Sequence, residues 1–208
     1  MDRLETDADI ERGIKFLCRQ EPAFARAAAR INAPIRLRRR AGGFDALLKA
    51  IVAQQLSVAS AAAIWARAQA AGLTQEKRIL SSTDAALREV GLSRQKIKYV
   101  RALALADVDF DALAAASTEE VVEVLTQISG IGVWTAEIYA MFSLGHQDVF
   151  PSGDLALQEA AKDLFAMNKR PSANALKTMA IDWSPWRAVA AHVLWAYYSA
   201  IKKREGIG

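Results

Sequence analysis

Apolar residues recur along most of the chain at spacings of three and four, the repeat of one face of an α-helix, and form no credible pair of period-two strands. The spacing predicts helices over 7–19 and 22–31, the second with Pro22 at a first helical position. The basic stretch PIRLRRRAGG at 34–43 interrupts the pattern and reads as an extended crossing. Residues 44–72 keep helical spacing for longer than one typical helix, so a break is expected at Gln54-Gln55-Leu56-Ser57. Helices follow over 83–90 and 94–106, joined by Gly91, and over 118–127, where Ser117 and Glu120 make a capping box. More are predicted over 133–144, 154–165, 172–182 and 185–204, with the strongest late turn chemistry in HQDVFPSG at 146–153. The pattern gives an all-α fold in two helical lobes meeting at a cleft. Residues 1–43 form a helical and basic lead-in packing on the second lobe, 44–124 the first lobe, and 125–208 the second.

One stretch departs from good helix chemistry: ISGIGVWTAEIYA, 128–140. Gly130 and Gly132 would each weaken a helix by about 1 kcal/mol relative to alanine. A bare turn feeding a helix N-terminus aims successive N–H groups outward, a geometry that suits a phosphate. A tight helical hairpin whose glycines merely allow close packing explains the same residues, and periodicity does not separate the two.

Composition narrows the chemistry. With 208 residues, 52% hydrophobic and 24% charged, the chain can bury a sizeable core, and charged or amide residues interrupt every run approaching the roughly 18 apolar residues of a membrane span. Its acidic N-terminus, MDRLETDADIERG, does not read as a secretory signal, so a cytoplasmic location is expected. Cys18 is the one cysteine, and with the distant His146 and His192 it cannot build an ordinary zinc or iron–sulfur site. Chemistry must therefore run on carboxylates, hydroxyls or aromatics. A net charge of +4 suits a polyanionic partner.

The run from Leu125 to Ala136, apolar-x-x-Ile-x-Gly-Ile-Gly-x-x-Thr-Ala, resembles the helix-hairpin-helix of the DNA glycosylase superfamily. DVFPSGD at 148–154, IVAQQLS at 51–57, GLSRQKIKYVRALA at 91–104 and WSPWR at 183–187 with HVLW after it resemble the branch of 3-methyladenine DNA glycosylase II, the AlkA type. The resemblance covers roughly residues 40 to 200 and implies a helix-hairpin-helix glycosylase fold lacking most of the N-terminal mixed α/β domain of the best-known bacterial members. It implies a DNA N-glycosylase of base excision repair that flips alkylated bases of the 3-methyladenine and 7-methylguanine type out of duplex DNA and acts as a monomer. Relatives that also cut the backbone carry a lysine where this chain has Trp134, which predicts a monofunctional hydrolase without lyase activity.

Residue by residue, the resemblance makes Asp154 the catalytic carboxylate, although an Asp opening a helix is also an ordinary N-cap. Trp134 and Trp195 are the implied aromatic faces for a cationic base, with Tyr139 added; core packing is the alternative for all three. Ile138 stands where a bacterial relative has an aromatic residue, so the range of bases does not carry over. Leu56, with Gln55 beside it, is the implied wedge for the emptied stack, against a buried leucine at a helix junction, and Ser57 caps the next helix under either reading. Gly130, Ile131, Gly132 and Thr135 would meet the DNA backbone, and Arg187 would orient the hairpin or Asp154. The carbonyls of Thr126, Ile128 and Ile131 would hold a monovalent cation at the hairpin; no cofactor is implied for catalysis. The basic runs Arg36, Arg38, Arg39, Arg40 and Arg94, Lys96, Lys98, Arg101 are solvated faces or phosphate contacts. A glycosylase for another damaged or mismatched base, or a helix-hairpin-helix module without catalysis, stays open.

Overall fold

The structure is a computed structural model that describes residues 2–204. In chain order its helices are α1 (Asp7–Gln20), α2 (Pro22–Arg30), α3 (Phe44–Ala53), α4 (Val58–Ala70), α5 (Glu76–Ser81), α6 (Asp84–Glu89) and α7 (Arg94–Leu105). They continue with α8 (Phe110–Ala115), α9 (Thr118–Thr126), α10 (Val133–Tyr139), α11 (Leu155–Leu164), α12 (Ala173–Met179) and α13 (Arg187–Arg204). A π-helical turn spans Ala140–Leu144 and a 3₁₀ turn Ala180–Trp183. Among the described residues the β pairing is an isolated bridge between Arg3 and His146, so the all-α expectation holds. No helix among them is long and apolar enough to cross a membrane.

Side-chain caps set many of the boundaries. Glu21 accepts from the Ala23 N–H ahead of Pro22, and Ser117 and Glu120 form the anticipated capping box of α9. The break at QQLS is real: α3 stops at Ala53, Gln55 adopts φ 57°, and Ser57 accepts from the Ser60 N–H to start α4. Three expectations needed correction. The short helices α5 and α8 were not expected: each buries a single side chain, Ile79 and Leu113, and neither has an end signal such as the Gly91 that marks the equally short α6; Asp109 caps α8. The run predicted as helix over 133–144 leaves α geometry after Tyr139 for the π turn. The run over 172–182 finishes as the 3₁₀ turn.

The chain divides into two compact units, Met1–Arg39 with Ala140–Gly208, and Arg40–Tyr139. The hairpin and α10 fall in the second, whereas the division drawn from sequence grouped them with the C-terminal helices. In the first unit α1, α2 and α11 pack on α13. Trp183 is buried in this unit, edge-on to Phe24 at 5.2 Å and Phe150 at 5.3 Å and stacked on Phe165 at 6.0 Å. In the second unit α3 packs on α7, burying Leu47, Ile51 and Val52 on one helix and Ile97, Val100 and Leu103 on the other. Each such side chain contributes about 1.5–3 kcal/mol.

Candidate active site

Asp154 is positioned by a loop with little freedom. The Gln147 side chain donates to the Pro185 carbonyl at 3.0 Å, and the Gln147 carbonyl accepts from the Ala188 N–H at 3.0 Å. Gln158 reaches back from α11 to the Ser152 carbonyl at 2.9 Å, and the Asp154 N–H donates to the Pro151 carbonyl at 2.9 Å. The carboxylate then caps α11, accepting at Oδ1 from Ala156 N–H at 2.9 Å and Leu157 N–H at 3.1 Å. The N-cap reading is therefore correct as structure, and it places the carboxylate at the positive end of a ten-residue helix.

The same oxygen takes a third donor that no cap requires: the Trp195 Nε1–H, at 3.2 Å. Trp195 comes from the third turn of α13, and its ring stacks on Phe142 of the π turn at 5.8 Å. Edge-on at 6.1 Å lies His192, whose Nδ1 sits 2.8 Å from the Ala188 carbonyl. A carbonyl can only accept, so Nδ1 carries the hydrogen. Burial holds His192 below its ordinary titration range; the Ala188 carbonyl opposes this and the Arg38 charge adds to it. A neutral aromatic wall thus adjoins the carboxylate.

Arg187 grips a partner that the sequence did not nominate. Its guanidinium is held by Asp148, with Nε on Oδ1 and Nη2 on Oδ2, both at 2.8 Å, and Ser184 donates to Oδ2 at 2.7 Å. It orients the base of the loop that carries Asp154 by gripping Asp148. Burial alone would raise the Asp148 pKa, but the bonds from Arg187 and Ser184 and the Arg187 charge bring it below the usual carboxylate range. A lowered folded-state pKa means the stabilisation is complete above the unfolded value of about 3.9 and is lost as pH falls through the folded value. Asp148→Asn is expected to cost about 2 kcal/mol at pH 7. Thermal melts of both proteins at pH 7 and pH 3 check this, with the gap narrowing at pH 3.

The second unit holds the hairpin. Gly130 adopts φ +98°, and a Cβ there would lie 2.3 Å from Tyr99 Cγ on α7. Packing and backbone geometry together account for this glycine. Gly132 has neither reason: its φ is not positive, and an added Cβ would meet nothing within 4 Å. Bare backbone facing open space at the start of α10 suits approach by an outside group, as P–O oxygens do at helix N-termini. Ile131 and Thr135 are buried, so contact from them is limited to backbone. Trp134 stands on the first turn of α10 and is 47% exposed.

The QQLS corner is tied to this hairpin by Gln54, whose Nε2 donates to the Gly130 carbonyl at 2.8 Å. Gln54 was not among the nominated residues, although it lies within the quoted motif. Leu56 is 40% exposed, which removes the buried-leucine alternative, and Gln55 beside it carries the strained positive φ. Tyr139 is a correction: it is 4% exposed and its hydroxyl accepts from the Gly43 N–H at 2.8 Å, the place of a core residue rather than of a pocket wall. Among the nominated cation ligands, the Ile128 carbonyl already accepts from the Ile131 N–H at 3.0 Å. The set is three neutral carbonyls, and no cluster of carboxylate, imidazole or thiol ligands exists among the described residues. Such a donor set fits a weakly held alkali cation and not a structural divalent one.

The basic runs are less available than sequence suggested. Lys96 donates to the Val52 carbonyl at 2.6 Å at the end of α3, and Arg101 binds Asp84 and the carbonyls of Ile79 and Ser82. Arg36 pairs with Asp7 at 2.7 Å, and Arg39 donates to the carbonyls of Leu4 and Ser143 at 3.0 Å each. These four arginine and lysine side chains hold the protein together.

Comparison with known proteins bears on the site. The family model described as "HhH-GPD superfamily base excision DNA repair protein" matches residues 48–187. A curated relative, alkylbase DNA glycosidase-like protein mag2 of Schizosaccharomyces pombe, is 27% identical over 73% of this chain and 76% of its own length. The crystal structure of a DNA-3-methyladenine glycosidase from Bacillus halodurans superposes with TM-score 0.82 at 33% identity, covering 92% of this chain and 91% of that one. The 3-methyladenine DNA glycosylase Mag1 of Schizosaccharomyces pombe, solved in complex with abasic DNA, gives TM-score 0.75 at 27% identity over 88% of this chain and 95% of its own.

Proposed function

Because the chain belongs to the HhH-GPD superfamily of base excision DNA repair proteins, we propose that it excises alkylated purines of the 3-methyladenine and 7-methylguanine type from duplex DNA, as a monomeric and monofunctional N-glycosylase. The observation that carries this reading is the Asp154 carboxylate, fixed at the N-terminus of α11 with the Trp195 N–H on the same oxygen. A purine alkylated on a ring nitrogen is cationic, so its bond to C1′ breaks with the electron pair returning to the base and neutralising it. The deficit is left on the sugar as an oxocarbenium ion, and an adjacent carboxylate stabilises that charge. Water then adds to C1′ and gives up a proton, leaving an abasic sugar in an uncut strand.

The other residues take supporting roles in this proposal. Trp195, stacked on Phe142, presents an aromatic face beside the carboxylate, and Trp134 offers a second face from α10. Leu56 enters the gap left by the extruded base, and the backbone at Gly130, Ile131 and Gly132 meets a phosphate, with a monovalent cation on the carbonyls of Thr126, Ile128 and Ile131 between turn and phosphate. Trp134 supplies no amine for a Schiff base, so no lyase step follows base release.

Methylated duplex DNA incubated with the protein tests the reading. Chromatography is expected to show free methylated purines, and a denaturing gel intact strands. Absence of free base would overturn the enzyme reading, and strand scission would overturn the monofunctional one.

A further inference from the structure

Extruding a nucleotide draws its flanking phosphates toward a wall that carries a carboxylate, so an uncommitted cation beside that wall has a clear use. The crossing segment 34–39 supplies one. It has no regular secondary structure, yet it is pinned at several points: Arg36 and the Leu37 N–H on the two oxygens of Asp7, and Arg39 on the Leu4 and Ser143 carbonyls. The last of these ties the segment to the π turn at the residue following Phe142, the ring on which Trp195 stacks. Arg38 lies between these anchors, so its backbone is fixed while its side chain is exposed. No carboxylate or carbonyl among the described residues takes its guanidinium. Its charge is felt at His192, one turn from Trp195 on α13.

We propose that Arg38 grips a backbone phosphate flanking the flipped nucleotide, the one member of the 36–39 run whose side chain is kept for DNA. Arg39 and the Leu37 N–H bond to Asp7 hold its backbone there, while the exposed Arg36–Asp7 pair adds little. An arginine fork suits two phosphate oxygens at once, and a cation at that point offsets the repulsion between the incoming strand and Asp154. This inference rests on the glycosylase reading but is tested by binding, so the two can fail separately.

The experiment measures affinity for a duplex carrying a tetrahydrofuran abasic analogue, and for the same duplex undamaged, from low to moderate salt, using wild type, Arg38→Gln, Arg38→Lys and Arg36→Gln. Arg36→Gln removes the same charge from the same segment and serves as the control. Arg38→Gln is expected to weaken binding to the analogue duplex about tenfold and to flatten the log–log salt slope by about 0.9, the signature of one lost phosphate contact. Binding to the undamaged duplex falls about threefold or less, Arg38→Lys recovers most of the loss, and Arg36→Gln keeps the wild-type slope. An unchanged slope in Arg38→Gln, or equal losses on the two duplexes, overturns the proposal even where wild type releases methylated purines. A wild-type protein that neither binds the analogue nor releases bases removes the glycosylase reading and this inference with it.

Discussion

Alanine at Gly130 is expected to lower the melting temperature by roughly 10 °C, whereas alanine at Gly132 leaves it within about 2 °C of wild type. The two glycines are two residues apart and look alike in sequence, but their surroundings differ. At Gly130 a side chain pays twice: the backbone at φ +98° disfavours any L residue, and the Cβ would sit 2.3 Å from Tyr99 Cγ and 2.7 Å from Tyr99 Cβ. Tyr99 Cβ lies near the helix backbone and cannot swing away, so α7 or the turn must shift, at a combined cost of about 3–4 kcal/mol. The Gln54 bond to the Gly130 carbonyl would be disturbed as well. Alanine at Gly132 meets open space and favours the start of α10. What it obstructs is approach from outside, so DNA affinity is expected to fall about tenfold while the fold survives. Thermal melts and duplex binding on the two variants check the pair; equal melting losses would contradict it.

Asp154→Asn is expected to reduce base release on the order of 10³-fold, the scale seen when a preorganised electrostatic contact is removed from a reacting centre. Asparagine is among the best N-cap residues, and its side-chain oxygen can accept the bonds from Ala156, Leu157 and Trp195 that the carboxylate oxygen now takes. The substitution therefore removes charge while keeping shape, and the melting temperature should stay within about 3 °C. A neutral amide no longer offsets the positive sugar as the bond to the base opens. Affinity for duplex DNA should be unchanged or slightly higher, since one negative charge near the strand has gone. Asp154→Ala would confound the result, because it also removes the cap of α11.

The sequence carried the long helices well because they combine apolar spacing with recognisable ends: Pro22, the Ser117 and Glu120 box, and Ser57 after QQLS. It could not carry α5 or α8, each a short helix with one buried side chain and no end signal like the Gly91 that marks α6, and it gave no sign that residues 140–144 would widen into a π turn. Asp154 was legible because its motif and its cap position coincide. Its Trp195 partner, 41 residues away, was nominated for stacking but not for the bond to the carboxylate. Arg187 was expected to orient the hairpin or Asp154, and its grip on Asp148 was not legible because partner choice depends on which loop reaches the start of α13. Tyr99, Gln54 and Phe142 went unnoticed for the same reason: each acts across a contact between elements distant in sequence. The basic runs misled most, because a row of arginines looks the same whether it faces solvent, phosphate or the protein's own carbonyls.

Single-turnover release of methylated purines by wild type and Asp154→Asn tests the central claim most directly, with each protein saturated on the same methylated duplex and its occupancy measured. The account predicts release by wild type, strands left intact, and a rate lower by on the order of 10³-fold in the variant at equal occupancy. Equal rates in the two proteins would contradict it, because the carboxylate at the head of α11 would then be a helix cap and nothing more.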